Sequence, residues 1–443
     1  MLNPIRTLAS STPEAAGFSG DRLARIEARY AAGVEAGEIP GAVVLVLRDG
    51  QVVYDKAIGF RDRAAGAAMT SDTVFWLASM TKPVTSVAIM MLVEEGLVDL
   101  NAEAALYLPE LAGLKVGVPG DDGALTTRAP MRQPTVHDLL RHTAGLVYGE
   151  FGDTPVHQAY IAANLFARDR TNAEFIERLA QLPLAAEPGS TFEYSVATDV
   201  LGRIVEVVSG QSLDVFFRSR IAEPLGLTAL DFHVAEGRPL AWSDAALPEG
   251  AQAALDGMFR SRPTLLSGGG GLFGTAADYA RFGQMLLNGG SLDGVRLLAP
   301  ATVALMTANH LPDGVAFAPK IVSMLSVIAP TPALGQGFGL GFAVRTDPGL
   351  HPAAGSVGDY FWAGAGGTYF WVDPVEGLVV VALTAQPDYV CKVRFRQLIR
   401  TLVYQAIERS NHDPRTPRAG SRSASAREAA AAPSDIDGFA FRP

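Results

Sequence analysis

Apolar positions first recur with a helical period between Gly20 and Ala36. Leu23, Ile26, Tyr30 and Val34 fall on one face, and Ser19 stands where an N-cap belongs. Two apolar runs follow, Ala42 to Leu47 and Gln51 to Ile58. The Asp49-Gly50 pair between them predicts a β-hairpin. Phe75-Trp76-Leu77-Ala78 reads as a short extended piece leading into Ser79-Met80-Thr81-Lys82-Pro83. From Ser79 to about Glu95 the spacing predicts a helix closed by Gly96. Pro83 is tolerated at the edge of its first turn. Val84, Val87, Ala88, Met91 and Leu92 form one apolar face. Ile89, Met90 and Val93 carry apolarity around the cylinder, so this helix is expected to be central and buried.

Between about 100 and 260 the pattern turns helical, with loops rich in glycine and proline. Thr135-Val136-His137-Asp138 predicts a capped helix start. Asn172 to Gln181, Thr198 to Ser209 and Ser212 to Ala222 read as further helices. Strand signals return at Ser267 to Phe273, which runs into a helix start at Thr275. Tyr360 to Ala363, Thr368 to Asp373 and Leu378 to Leu383 predict three strands, with a turn at Pro374-Val375-Glu376-Gly377. A helix is expected from about Val390 to Glu408. Residues 1–18 read as an irregular arm, and 411–435 as a disordered tail rich in Ala, Ser, Arg and Pro. This layout predicts an α+β fold in which helices flank an antiparallel sheet. Residues 15–104 and 261–408 would form one α/β domain from both ends of the chain, and 105–260 an inserted, mainly helical domain.

Composition narrows the function classes. Of the 443 residues, 48% are hydrophobic, enough for a large core. A net charge of −10 argues against a nucleic-acid protein and against an electrostatic membrane binder. The single cysteine, Cys391, excludes an intramolecular disulfide and a cysteine-based zinc site. The seven histidines are scattered without ligand spacing, so no metal site is expected. No apolar run reaches membrane-spanning length, and the first residues carry no apolar signal core. The expectation is a cytoplasmic protein without a membrane anchor.

The candidate chemistry begins at Ser79-Met80-Thr81-Lys82. A serine at a helix start has its hydroxyl near the positive end of the helix dipole. A lysine three residues on lies one turn away on the same face. Desolvation would favour its neutral amine, which can take the serine proton. With five lysines in the chain, a chance S-x-x-K has odds of about one in four, so position matters more than the match. Tyr194, in Tyr194-Ser195-Val196, would serve as a base if held near a lysine ammonium; taken alone it reads as a core tyrosine. Trp362-Ala363-Gly364-Ala365-Gly366-Gly367 ends a strand with small residues. A backbone N–H there could join that of Ser79 as an oxyanion hole. No G-x-S-x-G occurs, which removes the α/β-hydrolase elbow. Gly269 to Gly274 fits G-x-G-x-x-G only because it is a glycine run without a preceding buried strand.

The order S-x-x-K, Tyr-Ser-Val, Trp-Ala-Gly resembles the serine β-lactamase and penicillin-binding-protein superfamily. Within it the chain is most similar to the family VIII carboxylesterases, which are built on a class C β-lactamase fold. Asp138-Leu139-Leu140-Arg141-His142-Thr143-Ala144-Gly145-Leu146 and Gly268-Gly269-Gly270-Gly271-Leu272-Phe273 add to the likeness, which covers about residues 15–408. The resemblance implies a β-lactamase-like fold and a serine esterase acting through an acyl-enzyme. Ser79, Lys82 and Tyr194 would be catalytic, and the Ser79 and Ala365 N–H groups would form the oxyanion hole. Val196, Trp362, Ala363 and Gly364 would contact a small-molecule ester; no metal or cofactor is required. Val196 replaces the asparagine, and Trp362 the lysine, of the β-lactamase pattern, which favours neutral esters over anionic lactams. A β-lactamase, a D-amino-acid amidase or an acyltransferase would use the same groups, and a binding protein on this fold would not need them. Whether Lys82 or Tyr194 is the base, and the oligomeric state, stay open.

Overall fold

The computed structural model describes residues 8–120, 124–245, 248 and 250–411. Nine strands make its main sheet. They are β1 (Ala9–Ser10), β2 (Gly41–Arg48), β3 (Gln51–Asp62), β4 (Ala67–Ala68), β5 (Gln336–Phe338), β6 (Ala343–Arg345), β7 (Tyr360–Ala363), β8 (Tyr369–Asp373) and β9 (Leu378–Thr384). In space the order is β1-β3-β2-β9-β8-β7-β6-β5, with β4 against β3. The two ends of the chain meet where β2 pairs with β9, antiparallel, from Ala42 opposite Thr384 to Arg48 opposite Leu378. The hairpin between β2 and β3 turns through Asp49 at φ 50° and Gly50 at φ 79°. Positive φ at both central residues matches the twist of the flanking strands.

β2 and β9 are buried along their whole length because helices cover both faces. Helix α1 (Gly20–Glu35) buries Leu23, Ile26, Tyr30 and Val34, and the Ser19 hydroxyl accepts the Arg22 N–H at its start. Helix α2 (Thr81–Glu94) is buried from Thr81 to Leu92. Helices α3 (Val136–Leu140), α4 (Ala197–Ser209), α5 (Ala276–Leu287) and α6 (Tyr389–Tyr404) complete the frame used below. Tyr279 of α5 meets the ring of Phe370, while Tyr404 of α6 stacks on Trp371. Consecutive strand residues point to opposite faces, so α5 and α6 lie on opposite sides of the sheet. Tyr30 packs on Phe395 and brings α1 beside α6. Asp359, before β7, accepts Arg345 Nε at 2.9 Å and Arg400 Nη1 at 2.8 Å, a fully buried ion group that pins α6 to the sheet.

Most expected elements form; the helix starts expected at Thr135 and Thr275 both close as capping boxes. The glycine run differs. Ser267 to Phe273 was expected as a strand, yet only Phe273–Gly274 is extended, paired with Phe75–Trp76. The carbonyls of Gly268, Gly269 and Gly270 are taken instead by the side chains of Thr85, Lys82 and Trp76. A backbone committed to side-chain donors cannot also enter a ladder. The helices Pro155–Ala163 and Ala251–Arg260 and the strands β5 and β6 were not foreseen. Arm residues Ala9–Ser10, expected to be irregular, pair in parallel with β3. The expected tail at 411–435, apart from Asn411 itself, lies outside the described residues.

Candidate active site

Helix α2 does not begin at Ser79. The serine sits in a tight turn, Ala78–Met80, immediately before it. Ala78 has φ 47°, a left-handed conformation that costs an alanine energy, so the surrounding structure holds it there. Strand pairing of Phe75–Trp76 anchors the turn from behind. From the front, Thr368 Oγ1 donates to Leu77 O at 3.2 Å. A side chain at Gly364 would strike both Thr368 Oγ1 and Leu77 O, so glycine lets the end of β7 lie against this turn.

Lys82 points into the same space and is 1% exposed. Its Nζ donates to Ser79 Oγ at 3.3 Å, to Tyr148 Oη at 3.1 Å and to Gly269 O at 2.7 Å. Nζ also lies 4.6 Å from the centre of the Tyr194 ring. Tyr194 Oη accepts the indole N–H of Trp362 at 3.2 Å and makes no hydrogen bond to Ser79 or Lys82 among those described. The ring of His142 packs on Tyr194 at 4.8 Å. Burial, and then the charge of Lys82, hold His142 well below its usual pKa, so it is neutral there. Its Nδ1 lies 3.3 Å from Ser195 Oγ.

Two participants escaped the sequence reading. Tyr148 lies two residues beyond the recognised stretch ending at Leu146. Burial, with the Asp199 carboxylate next, holds its phenol well above the usual range, so it stays protonated. Asp199 Oδ1 accepts Ser267 Oγ at 2.5 Å and the Gly269 N–H at 3.0 Å, fixing the loop whose carbonyl holds Lys82. Asp199 Oδ2 is buried without a hydrogen-bond partner among the described residues. Burial raises the Asp199 pKa, and Lys82 opposes that rise. A tyrosine in a glycine-flanked loop and an acid five residues after Tyr194 were the available signals; neither has a spacing that singles it out.

The backbone supplies the remaining polarity. Among the described residues, neither the Ser79 N–H nor the Ala365 N–H donates to a protein acceptor. Ala365 is the second residue of a turn closed by the Gly367 N–H on Gly364 O at 3.1 Å. Val196 and Trp362 are each 1% exposed. Trp362 reaches the site through its bond to Tyr194, and Val196 sits at the cap of α4. The arrangement therefore joins a hydroxyl, a buried amine, two phenols and two free N–H groups. Such a set can move a proton off oxygen and stabilise a new oxyanion.

The family model described as Beta-lactamase matches residues 26–399. The chain belongs to the Beta-lactamase family. It is 32% identical to "Esterase EstB" of Burkholderia gladioli over 403 residues, covering 85% of this chain and 94% of that protein. It is 31% identical to "Lovastatin esterase" of Penicillium rubens, covering 73% of this chain and 79% of that one. Among solved structures, "EstCE1, a hydrolase with promiscuous acyltransferase activity" aligns with a TM-score of 0.69 and 30% identity, covering 87% and 99% of the two chains. The family's fold is thus the fold seen here, a mixed sheet with helices on both faces. Among the described residues, no helix is long and apolar enough to cross a membrane.

Proposed function

We propose that this protein is a serine carboxylesterase with Ser79 as nucleophile, acting on small, short-chain esters. The contact between Ser79 Oγ and Lys82 Nζ, 3.3 Å long, is the observation that carries the reading. Ser79 Oγ bonds to the ester carbonyl carbon while its proton passes to Lys82 or Tyr194 acting as base. The carbonyl electron pair moves to oxygen, held by the Ser79 and Ala365 N–H groups. Collapse breaks the carbon–oxygen bond to the alkoxy group, which takes the proton and leaves as an alcohol. Water then attacks the acyl-enzyme by the same proton route, releasing the acid and Ser79.

In this reading Ala363 and Gly364 form the edge along which substrate lies, and Trp362 and Val196 shape the site from behind. Neither brings a cation or an amide to bind the carboxylate of a lactam, which favours neutral esters. The segment 105–260 is read as the inserted domain closing one side of the cleft. The single cysteine suits a cytoplasmic location. The relatives named as esterases support the reaction class.

The test pairs a fluorophosphonate probe with Ser79→Ala. The parent should take up one adduct by intact mass and the variant none, and ester turnover should fall by about 10³-fold or more. On the parent, kcat/KM for a short-chain aryl ester should exceed that for benzylpenicillin by about a hundredfold. Near-normal turnover by folded Ser79→Ala rejects the mechanism; comparable ester and lactam values reject the substrate class.

A further inference from the structure

Helix α6 aims a charged side chain at the back of the oxyanion turn. Arg396, 7% exposed, donates from Nη2 to Gly364 O at 2.6 Å. Gly364 O belongs to the Gly364–Ala365 peptide, whose other end is the free Ala365 N–H. Among the described residues no carboxylate pairs with Arg396, unlike Arg400 one turn on, which is bound to Asp359. Its Nε is buried without a partner. Burial lowers its pKa to about 10, so it is charged at neutral pH. A buried cation without a counter-ion is costly and needs a physical reason to persist. A second α6 cation, Lys392, donates to the next carbonyl, Ala365 O, at 3.2 Å.

We propose that Arg396 is a positioning residue for the oxyanion hole, acting through the Gly364–Ala365 peptide. A charge-assisted bond to the carbonyl fixes the plane of that peptide, so the N–H at its other end keeps one direction. It also polarises the amide, since hydrogen bonds in a chain strengthen one another. Negative charge that develops on the substrate oxygen then meets a stronger, pre-aimed donor with an uncompensated positive charge behind it. The proposal rests on Ser79 and Ala365 forming the oxyanion hole of the hydrolase described above.

The experiment compares Arg396→Met, Arg396→Gln and Arg396→Lys with the parent on a short-chain aryl ester. An alkylboronic acid, whose tetrahedral adduct on Ser79 carries an oxyanion, serves as the second probe. In folded Arg396→Met, kcat/KM should fall about 30-fold or more, through kcat rather than KM, and boronate affinity should fall by a similar factor. Ester binding measured in a Ser79→Ala background should not change. Arg396→Lys should recover a tenth or more of the parent's kcat/KM; if Arg396→Met does not fold, Arg396→Gln makes the same comparison. A neutral variant that folds and stays within threefold of the parent overturns the proposal, as does a loss confined to KM or a lysine variant no better than the neutral one. Near-normal activity in folded Ser79→Ala overturns the Ser79 mechanism on which the proposal rests, a result separate from any of these.

Discussion

Lys82 spends its three donors on Ser79 Oγ, Tyr148 Oη and Gly269 O, and offers its charge to the face of Tyr194. The two phenols beside it therefore differ in kind. Tyr148 is tied to the amine directly, whereas Tyr194 is tied to Trp362. Removing the Tyr194 hydroxyl leaves the buried Trp362 N–H without an acceptor, at about 1–3 kcal/mol. Tyr194→Phe should thus lower Tm modestly and cut kcat by about 10²-fold if its oxygen carries the proton. Tyr148→Phe should cost about tenfold, by loosening Lys82. Steady-state kinetics on both variants assigns the roles: a larger loss for Tyr148→Phe would make the phenol touching Lys82 the proton carrier. Tyr194 was legible because a three-residue pattern marked it. Tyr148 was not, because its role comes from a hydrogen bond across 66 residues of chain.

Between elements, the glycine run joins α2 to α4. An added Cβ at Gly268 would lie 2.8 Å from Thr198 O, and one at Gly269 2.4 Å from Asp199 Oδ2. Both distances are too short for a real side chain, so these positions need the bare backbone of glycine. Gly269→Ala should push aside the carbonyl that holds Lys82 and lower kcat/KM by at least about tenfold while the protein still folds. Gly257→Ala, in the helix Ala251–Arg260 with open space around it, is the control and should be neutral or stabilising by up to about 1 kcal/mol. Equal activity in the two variants would remove the glycine run from the site's support. The run's composition was plain in the sequence. Its course was not, because side-chain donors on α2 and the Asp199 acceptor on α4 set it rather than any period of its own.

Stability of the whole molecule should carry the mark of Glu193, beside Tyr194. It is buried, with Oε1 unpartnered among the described residues, and burial raises its pKa to about 7. The folded state thus keeps the proton longer than the unfolded chain. Below pH about 4.5 both states hold it and the contribution is intact; between about 4.5 and 7 the unfolded state releases it first, so stability falls as pH rises. Glu193→Gln cannot ionise and should escape this loss. Its advantage over the parent should grow from pH 5 to pH 8, to at most about 3 kcal/mol. Urea melts at the two pH values check the sign: an advantage larger at pH 5 would refute the assignment.

The sequence by itself determined the elements whose stability is local. The α1 stripe, the Asp49-Gly50 turn, the buried α2 and the β7–β8–β9 strands follow from periodicity, caps and turn chemistry over a few residues. It also determined which serine, lysine and tyrosine to watch, since S-x-x-K and Tyr-Ser-Val are short and ordered. Tertiary structure alone decided the rest. β5 and β6 are short, with glycines in and around them, and become strands only because β7 offers an edge. The charge of Arg396 behind Gly364, the grip of Asp199 on Gly269 and the free N–H of Ala365 arise from groups far apart in the chain. Local sequence carries no energy term for such contacts; they exist once the sheet has closed between the chain's two ends and brought α6 to the back of the site.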